Sequence, residues 1–478
     1  MDALAAQLAE GLARGRPDAD LLARAGDPDP QAAANAFARA ARDPDLTGCQ
    51  EVWVPALLHA ARPGFGAQCL TELAEAMRSS NGGPLDVAGA PVLPALLGSS
   101  NFLARQLLRH PNWAADLAGE IPTPATSDAA PRDWEGLRIF KYRGLLRIAA
   151  RDLAGRPFSE SPGELSELAD RCLVAALDCA VDETGVSAPA LLALGKLGGH
   201  ELNFSSDVDL LFVYEPPEGA DDLEHNHAVA RLVRELKRQL EVPTSDGFTY
   251  RVDLDLRPEG RSGTVANSVE AALAYYETFG AEWERQMLLR LRPVAGPQAS
   301  ARAFCAGIRP FVYRRSIDPR VLDEVRAMKT RIEEERRGAG RDIEVELKEG
   351  PGGIRDVEFL VQSLQLFVGG REATLRTGNV REALAALGKL GLLPEDTAAA
   401  LSAAYLWLRR AEHALQLSEE QQTARFPREP AAQTALARRM GYVDPEGQQA
   451  RSRLLDDWTS VRSEVRHHFD ALVLSDGQ

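Results

Sequence analysis

The sequence predicts an α+β protein, mostly helical, built around a small mixed sheet. Three observations carry that prediction. Alanine- and leucine-rich stretches with helical spacing fill both ends of the chain, strand patterns are few and central, and turn signals punctuate the rest. A length of 478 residues is too great for one core and suggests about three domains.

Residues 1 to about 115 have helical spacing interrupted by the turn signals DPDP, DPDL and NGGP. The stretch EIPTPATSDAAPRDW (120–134) lacks periodicity and reads as a linker. Strand patterns follow at 189–194 (PALLAL), 207–214 (DVDLLFVY) and 248–257 (FTYRVDLDLR), with a fourth candidate at 341–350 (RDIEVELKEG). From 354 onward the pattern is helical again, with Ile354, Val357, Val361, Leu364 and Val368 on one face and Leu401, Tyr405, Leu408 and Leu415 on another. The expected division is a helical region over 1–120, a central domain over 121–300 and a helical bundle over 301–478.

A net charge of -15 argues against general nucleic-acid binding, which relies on cationic contacts to phosphates. No charged-then-apolar leader opens the sequence, and no apolar run approaches the roughly 18 residues that span a bilayer, so a soluble, cytoplasmic protein without a membrane partner is expected. The five cysteines show no CxxC pairing and suit a reducing compartment. The scattered histidines give no zinc site.

The chemistry concentrates in LLALGKLGGHELNFSSDVDLLFVYE (191–215). Alternation along a strand puts Asp207 and Asp209 on one face. In FTYRVDLDLRP the apolar set is Tyr250, Val252, Leu254 and Leu256, which leaves Arg251, Asp253, Asp255 and Arg257 on the other face. If the two strands pair, Asp253 or Asp255 joins the first two acids. Three carboxylates on adjacent strands suit Mg2+, which takes oxygen ligands and bridges phosphates. Gly198 and Gly199 allow a sharp turn and close approach of backbone N–H groups to phosphate oxygens, and Ser205 and Ser206 offer hydroxyls. Asp27 with Asp29 and Asp43 with Asp45 share the DxD spacing, but the proline inside each pair marks a turn. Arg257 and Arg261 are either phosphate contacts or ion-pair partners. Lys196 faces either phosphate or solvent. Lys348, ahead of Gly350, Gly352 and Gly353, begins either an anion-binding turn or a tight packing turn into a helix whose Arg355, Glu358 and Gln362 share a polar face.

The run GKLGGHELNFSSDVDLLF resembles the signature of the glutamine synthetase adenylyltransferase/adenylyl-removing enzymes. Agreement extends to VDLDLRPEGRSG (252–263), YYETFGAEWERQMLLRLRPVAG (275–296), ELKEGPGGIRDVEFLVQSLQL (346–366) and GGREATLRTGNVREAL (369–384). The resemblance runs from roughly 95 to 475. The word ELNFSSDVDLLF (201–212) is similar to that of the N-terminal, AMP-removing half of the family, and no second SDxD block follows residue 300.

The resemblance implies a nucleotidyltransferase-like, polymerase-beta-like core over 121–300 and phosphorolysis of a tyrosyl-AMP on glutamine synthetase, releasing ADP. It assigns Asp207, Asp209 and Asp253 to catalysis and Mg2+, and Gly198, Gly199, Ser206 and Arg257 to the nucleotide. The implied partners are glutamine synthetase, phosphate and ADP or ATP, with a PII signalling protein as a further one. Adenylyl transfer from ATP, or a weakly catalytic module binding glutamine synthetase or PII, are the alternatives.

Overall fold

A computed structural model of the chain describes residues 3–80, 82–123, 129–219, 221–314, 342–444 and 448–471. It is mostly helical, with a small mixed sheet in the middle of the sequence. Residues 124–128 of the expected linker lie outside the described residues.

The DPDP and DPDL turns start and stop helices as their chemistry dictates. Asp29 accepts the Ala32 N–H and caps the helix Pro30–Ala40, whose first residue is a proline with no N–H to satisfy. Asp43 accepts the Asp45 N–H in the next turn. The N-terminal helices bury Leu8, Phe37, Trp53 and Leu70 in a cluster that continues through Tyr142 and Leu173 to one face of the sheet.

The strands are β1 (Ala190–Ala193), β2 (Val208–Tyr214), β3 (Val252–Asp253), β4 (Asn267–Ser268) and β5 (Arg292–Ala295). Their order is β3-β2-β1-β5, with β4 also paired to β2. β1 is antiparallel to β2 and β5, whereas β3 and β4 run parallel to β2. Strand alternation sorts the side chains. Leu191, Leu210 and Phe212 enter the cluster shared with the N-terminal helices, while Leu192, Leu211 and Val213 pack with Tyr276, Phe304 and Ile308. Both faces are covered, so β1 and β2 are apolar along nearly their whole length.

Two expected strands change form. The 248–257 strand shrinks to Val252–Asp253 because Asp253 Oδ1 accepts the Asp255 N–H at 2.7 Å and turns the chain away. The 341–350 candidate forms a 3-10 turn at Ile343–Val345, capped by Asp342, with a single bridge between Glu346 and Arg425. There Leu347 donates to Ala424 O, and the Ile343 and Glu346 carbonyls crowd Gly350, so the chain bends where alternation suggests extension. Arg341 is outside the described residues. β5 carries Pro293, which an edge strand tolerates because one side of its backbone faces no partner.

The C-terminal helices form their own core. Ile354, Val357 and Val361 on the helix Ile354–Val368 meet Leu401, Tyr405 and Leu408 on the helix Glu395–Glu419, and Trp458 stacks on Phe426 at 4.5 Å. No helix among the described residues is long and apolar enough to cross a membrane.

Candidate active site

The acidic group forms where β2 and β3 lie side by side. Asp209 and Asp253 are direct partners in the parallel pairing, so their carboxylates leave the sheet at the same level. Asp207 precedes β2 by one residue, and its Oδ1 accepts the Arg251 Nε–H at 2.5 Å. All three line a cleft of about 780 Å³, together with Ser206, Gly195 and Lys196. Burial first, then the Asp253 and Asp207 charges, push the Asp209 carboxyl up to about 6, against a downward pull from Lys348 and Lys196.

Gly195 explains how Asp209 fits. It sits in the left-handed region at φ 54°, and a Cβ placed there would lie 2.0 Å from Asp209 Oδ2. The Gly-Gly pair three residues later is the more conspicuous signal, and pattern alone does not single out this first glycine of GKLGG.

The remaining expected residues divide. Ser206 reaches the cleft, where its Oγ accepts the Asn203 N–H and leaves the hydroxyl proton free to donate. Gly198 and Gly199, expected to cradle phosphate, do not line it. Their missing Cβ atoms make room for backbone packing: a Cβ on Gly198 would strike Arg290 O at 1.8 Å, and one on Gly199 would meet Gly378 O at 2.7 Å. Arg257, expected at the nucleotide, is turned inward. Its guanidinium donates to the carbonyls of Leu254, Arg261, Gly263 and Thr264 and closes the loop after β3. Asp255 pairs with the exposed Arg261 at 2.7 Å.

The opposite wall comes from the C-terminal helices. Glu412 holds Lys196 at 2.9 Å and also accepts from Asn203. Arg409 donates to Asn203 Oδ1 at 2.6 Å, to Tyr405 Oη at 2.8 Å and to Glu201 O. The Ser205 N–H donates to Gln416 Oε1 at 2.9 Å. The helix Glu395–Glu419 therefore fixes residues 201–206, the segment that delivers Asp207. Burial lowers the Lys196 ammonium to about 8 in spite of Glu412. Burial pushes the Glu358 carboxyl up, but Arg290 and Lys348 outweigh it and hold the group down at about 2. Leu256, Trp283, Met287 and Phe359 supply an apolar stretch of the same cleft.

Known proteins match over this arrangement. Residues 92–306 fit the family described as glutamate-ammonia ligase adenylyltransferase, and residues 326–473 fit that described as GlnD PII-uridylyltransferase. The chain is 39% identical over 367 residues to the bifunctional glutamine synthetase adenylyltransferase/adenylyl-removing enzyme of Xanthomonas campestris pv. campestris (strain B100), an alignment taking in 72% of this chain and 39% of that protein. The enzyme of the same name from Streptomyces avermitilis is 36% identical over 445 residues, 89% of this chain and 44% of that protein. Over the matched residues this chain is similar to the glutamine synthetase adenylyltransferase/adenylyl-removing enzymes. It spans 39 to 44% of the length of these two relatives.

Within this adenylyltransferase relative the cleft lies at the seam of the two family matches. Asp207, Asp209 and Asp253 fall in the first, and Lys348, Glu358 and Glu412 in the second. Among the described residues no three His, Cys, Asp or Glu side chains are gathered tightly enough to hold a metal as they stand. Asp207 is drawn to Arg251, and Asp253 caps the Asp255 N–H. The donor set nevertheless fits a hard divalent cation. All three groups are carboxylates, and part of the upward shift of Asp209 is the mutual repulsion that a cation between them relieves.

Proposed function

We propose that this chain removes AMP from an adenylylated tyrosine of glutamine synthetase by phosphorolysis. An oxygen of inorganic phosphate attacks the α-phosphorus, forming a new P–O–P bond as the bond to the tyrosine oxygen breaks. ADP leaves, and the phenolate takes up a proton from solvent. With a free-tyrosine pKa of about 10, the phenolate is a tolerable leaving group, so positioning and charge stabilisation do most of the work.

The observation that carries the reading is the pairing of Asp209 with Asp253 in register, with Asp207 beside them, at a cleft that Lys196 and Lys348 also line. Asp207, Asp209 and Asp253 would hold Mg2+, which when bound neutralises phosphate charge and stabilises the leaving oxygen. Ser206 donates its hydroxyl to a phosphate oxygen. Gly195 gives Asp209 its room, and Glu412, Arg409 and Gln416 keep residues 201–206 in place. Removal is favoured over attachment by the word ELNFSSDVDLLF, which resembles that of the removing half.

Mixing the chain with adenylylated glutamine synthetase, phosphate and Mg2+ tests the reading. ADP release that disappears in Asp207→Asn is the expected result, and ADP release indifferent to that change would sink it. A parallel reaction with ATP and unmodified glutamine synthetase tests attachment. The fit of residues 326–473 to a PII-uridylyltransferase family favours a PII protein as a second partner. A change in ADP release on adding PII is the expected sign, and an unchanged rate together with no binding would remove that partner.

A further inference from the structure

The charges of the cleft do not all cancel, and the remainder is informative. Among the described residues five cations line it: Lys196, Arg290, Lys348, Arg355 and Arg425. Four are taken. Lys196 pairs with Glu412 at 2.9 Å, Arg290 with Glu358 at 3.0 Å, Arg355 with Glu349 at 3.1 Å and Arg425 with Glu346 at 3.3 Å. The Lys348 ammonium has no ion pair or hydrogen bond among the described residues.

Its backbone, by contrast, is pinned on both sides. Leu347, fully buried, donates to Ala424 O at 2.7 Å and accepts the Ile354 N–H at 2.9 Å, and Lys348 O accepts the Arg355 N–H at 2.9 Å. The turn that follows leaves no slack. A Cβ on Gly350 would lie 2.3 Å from Ile343 O, and one on Gly352, at φ 71°, would lie 2.2 Å from Arg462 O. Lys348 is half-buried at the cleft, and a cation held in place on a fixed stem is the preorganised group that oxyanion binding requires. The ammonium is near enough to pull the Asp209, Glu358 and Glu412 carboxyls down, yet it forms no ion pair with any of them.

We infer that Lys348 is the anion-binding residue of the cleft and takes a phosphate oxyanion, across the gap from the three aspartates. The shared chemistry has two sources. One is the attacking inorganic phosphate, which becomes the β-phosphate of ADP; the other is the α-phosphate of the AMP group. The assignment rests on the phosphorolysis reading for the identity of the phosphate compounds, and its test needs no turnover.

Calorimetric titration of the full chain with ADP, AMP and inorganic phosphate, in the presence of Mg2+, reads the site. Lys348→Gln is expected to weaken ADP binding by about 10- to 100-fold, the usual loss when a charged hydrogen-bond donor is removed, and Lys348→Arg is expected to recover most of it. If inorganic phosphate weakens with ADP while AMP holds, Lys348 meets the attacking phosphate. If AMP weakens as much as ADP, it meets the α-phosphate. Either outcome supports the site. Unchanged affinities for all three in Lys348→Gln overturn it, as does a wild-type chain that binds none of them. Urea unfolding checks that the variant is folded, and Lys348→Met replaces it in the titration if it is not. A wild-type chain that binds ADP through Lys348 but releases none from adenylylated glutamine synthetase would end the phosphorolysis reading and leave the anion site standing.

Discussion

Asp43 with Asp45 in the N-terminal helices and Asp207 with Asp209 in the cleft share one spacing and differ in what faces them. Arg78 closes on Asp43 at 2.8 Å and on Asp45 at 2.5 Å, so both acids are satisfied by one guanidinium. Asp207 has Arg251, but Asp209 has Asp253 beside it, Gly195 behind it and no ion pair among the described residues. The first arrangement builds a turn. The second leaves negative charge concentrated at a cleft, where it stabilises nothing in the free chain and suits a cation brought by the substrate or solvent.

Substitutions at the two places should separate these roles. Asp209→Asn is expected to reduce ADP release by about 1,000-fold, the scale of losing a preorganised electrostatic contact, without lowering the unfolding midpoint. A loss of activity that tracks a loss of stability would place Asp209 with the structural pairs. Gly195→Ala should cost about 100-fold in the same assay, because the new methyl must displace Asp209 and small misplacements of reacting groups have large effects. Arg78→Ala should do the reverse, lowering stability in urea by about 1–2 kcal/mol while leaving the rate intact.

The smallest effect is the sharpest discriminator. The Asp209 carboxyl in the folded chain lies at about 6, above its ordinary value of 3.8, so the folded state holds that proton more tightly than the unfolded one. Its contribution to stability is full below pH 3.8 and is lost as pH rises through about 6. Without Mg2+, the stability of Asp209→Asn relative to wild type should therefore rise across that window and level off above it. A difference that stays flat from about pH 4 to about pH 7 would contradict the repulsion.

Local patterns in the sequence are enough to find β1 and β2, because strands buried on both faces read as short apolar runs between turn signals. The same patterns separate the proline-bearing Asp pairs from Asp207 and Asp209. They fail where one side-chain hydrogen bond outweighs alternation, as at Asp253, which ends β3 after two residues, and at Asp342, which opens a 3-10 turn. They also misjudge the glycines. Gly198 and Gly199 form the more conspicuous pair, but the close approach to a carboxylate is at Gly195, a distinction that depends on where β2 returns.

The sequence by itself determined the fold class, the order of helical and strand regions, the family resemblance, and the placement of Asp207 and Asp209 at the start of one strand. Only the tertiary structure decided that Arg257 closes a loop, that Glu412 ties residues 201–206 to a helix distant in sequence, and that Lys348 has no ion pair among the described residues. The reason is physical. Periodicity reports which way a side chain points within its own element, whereas ion pairing depends on which charges from distant elements arrive within a few ångströms of one another.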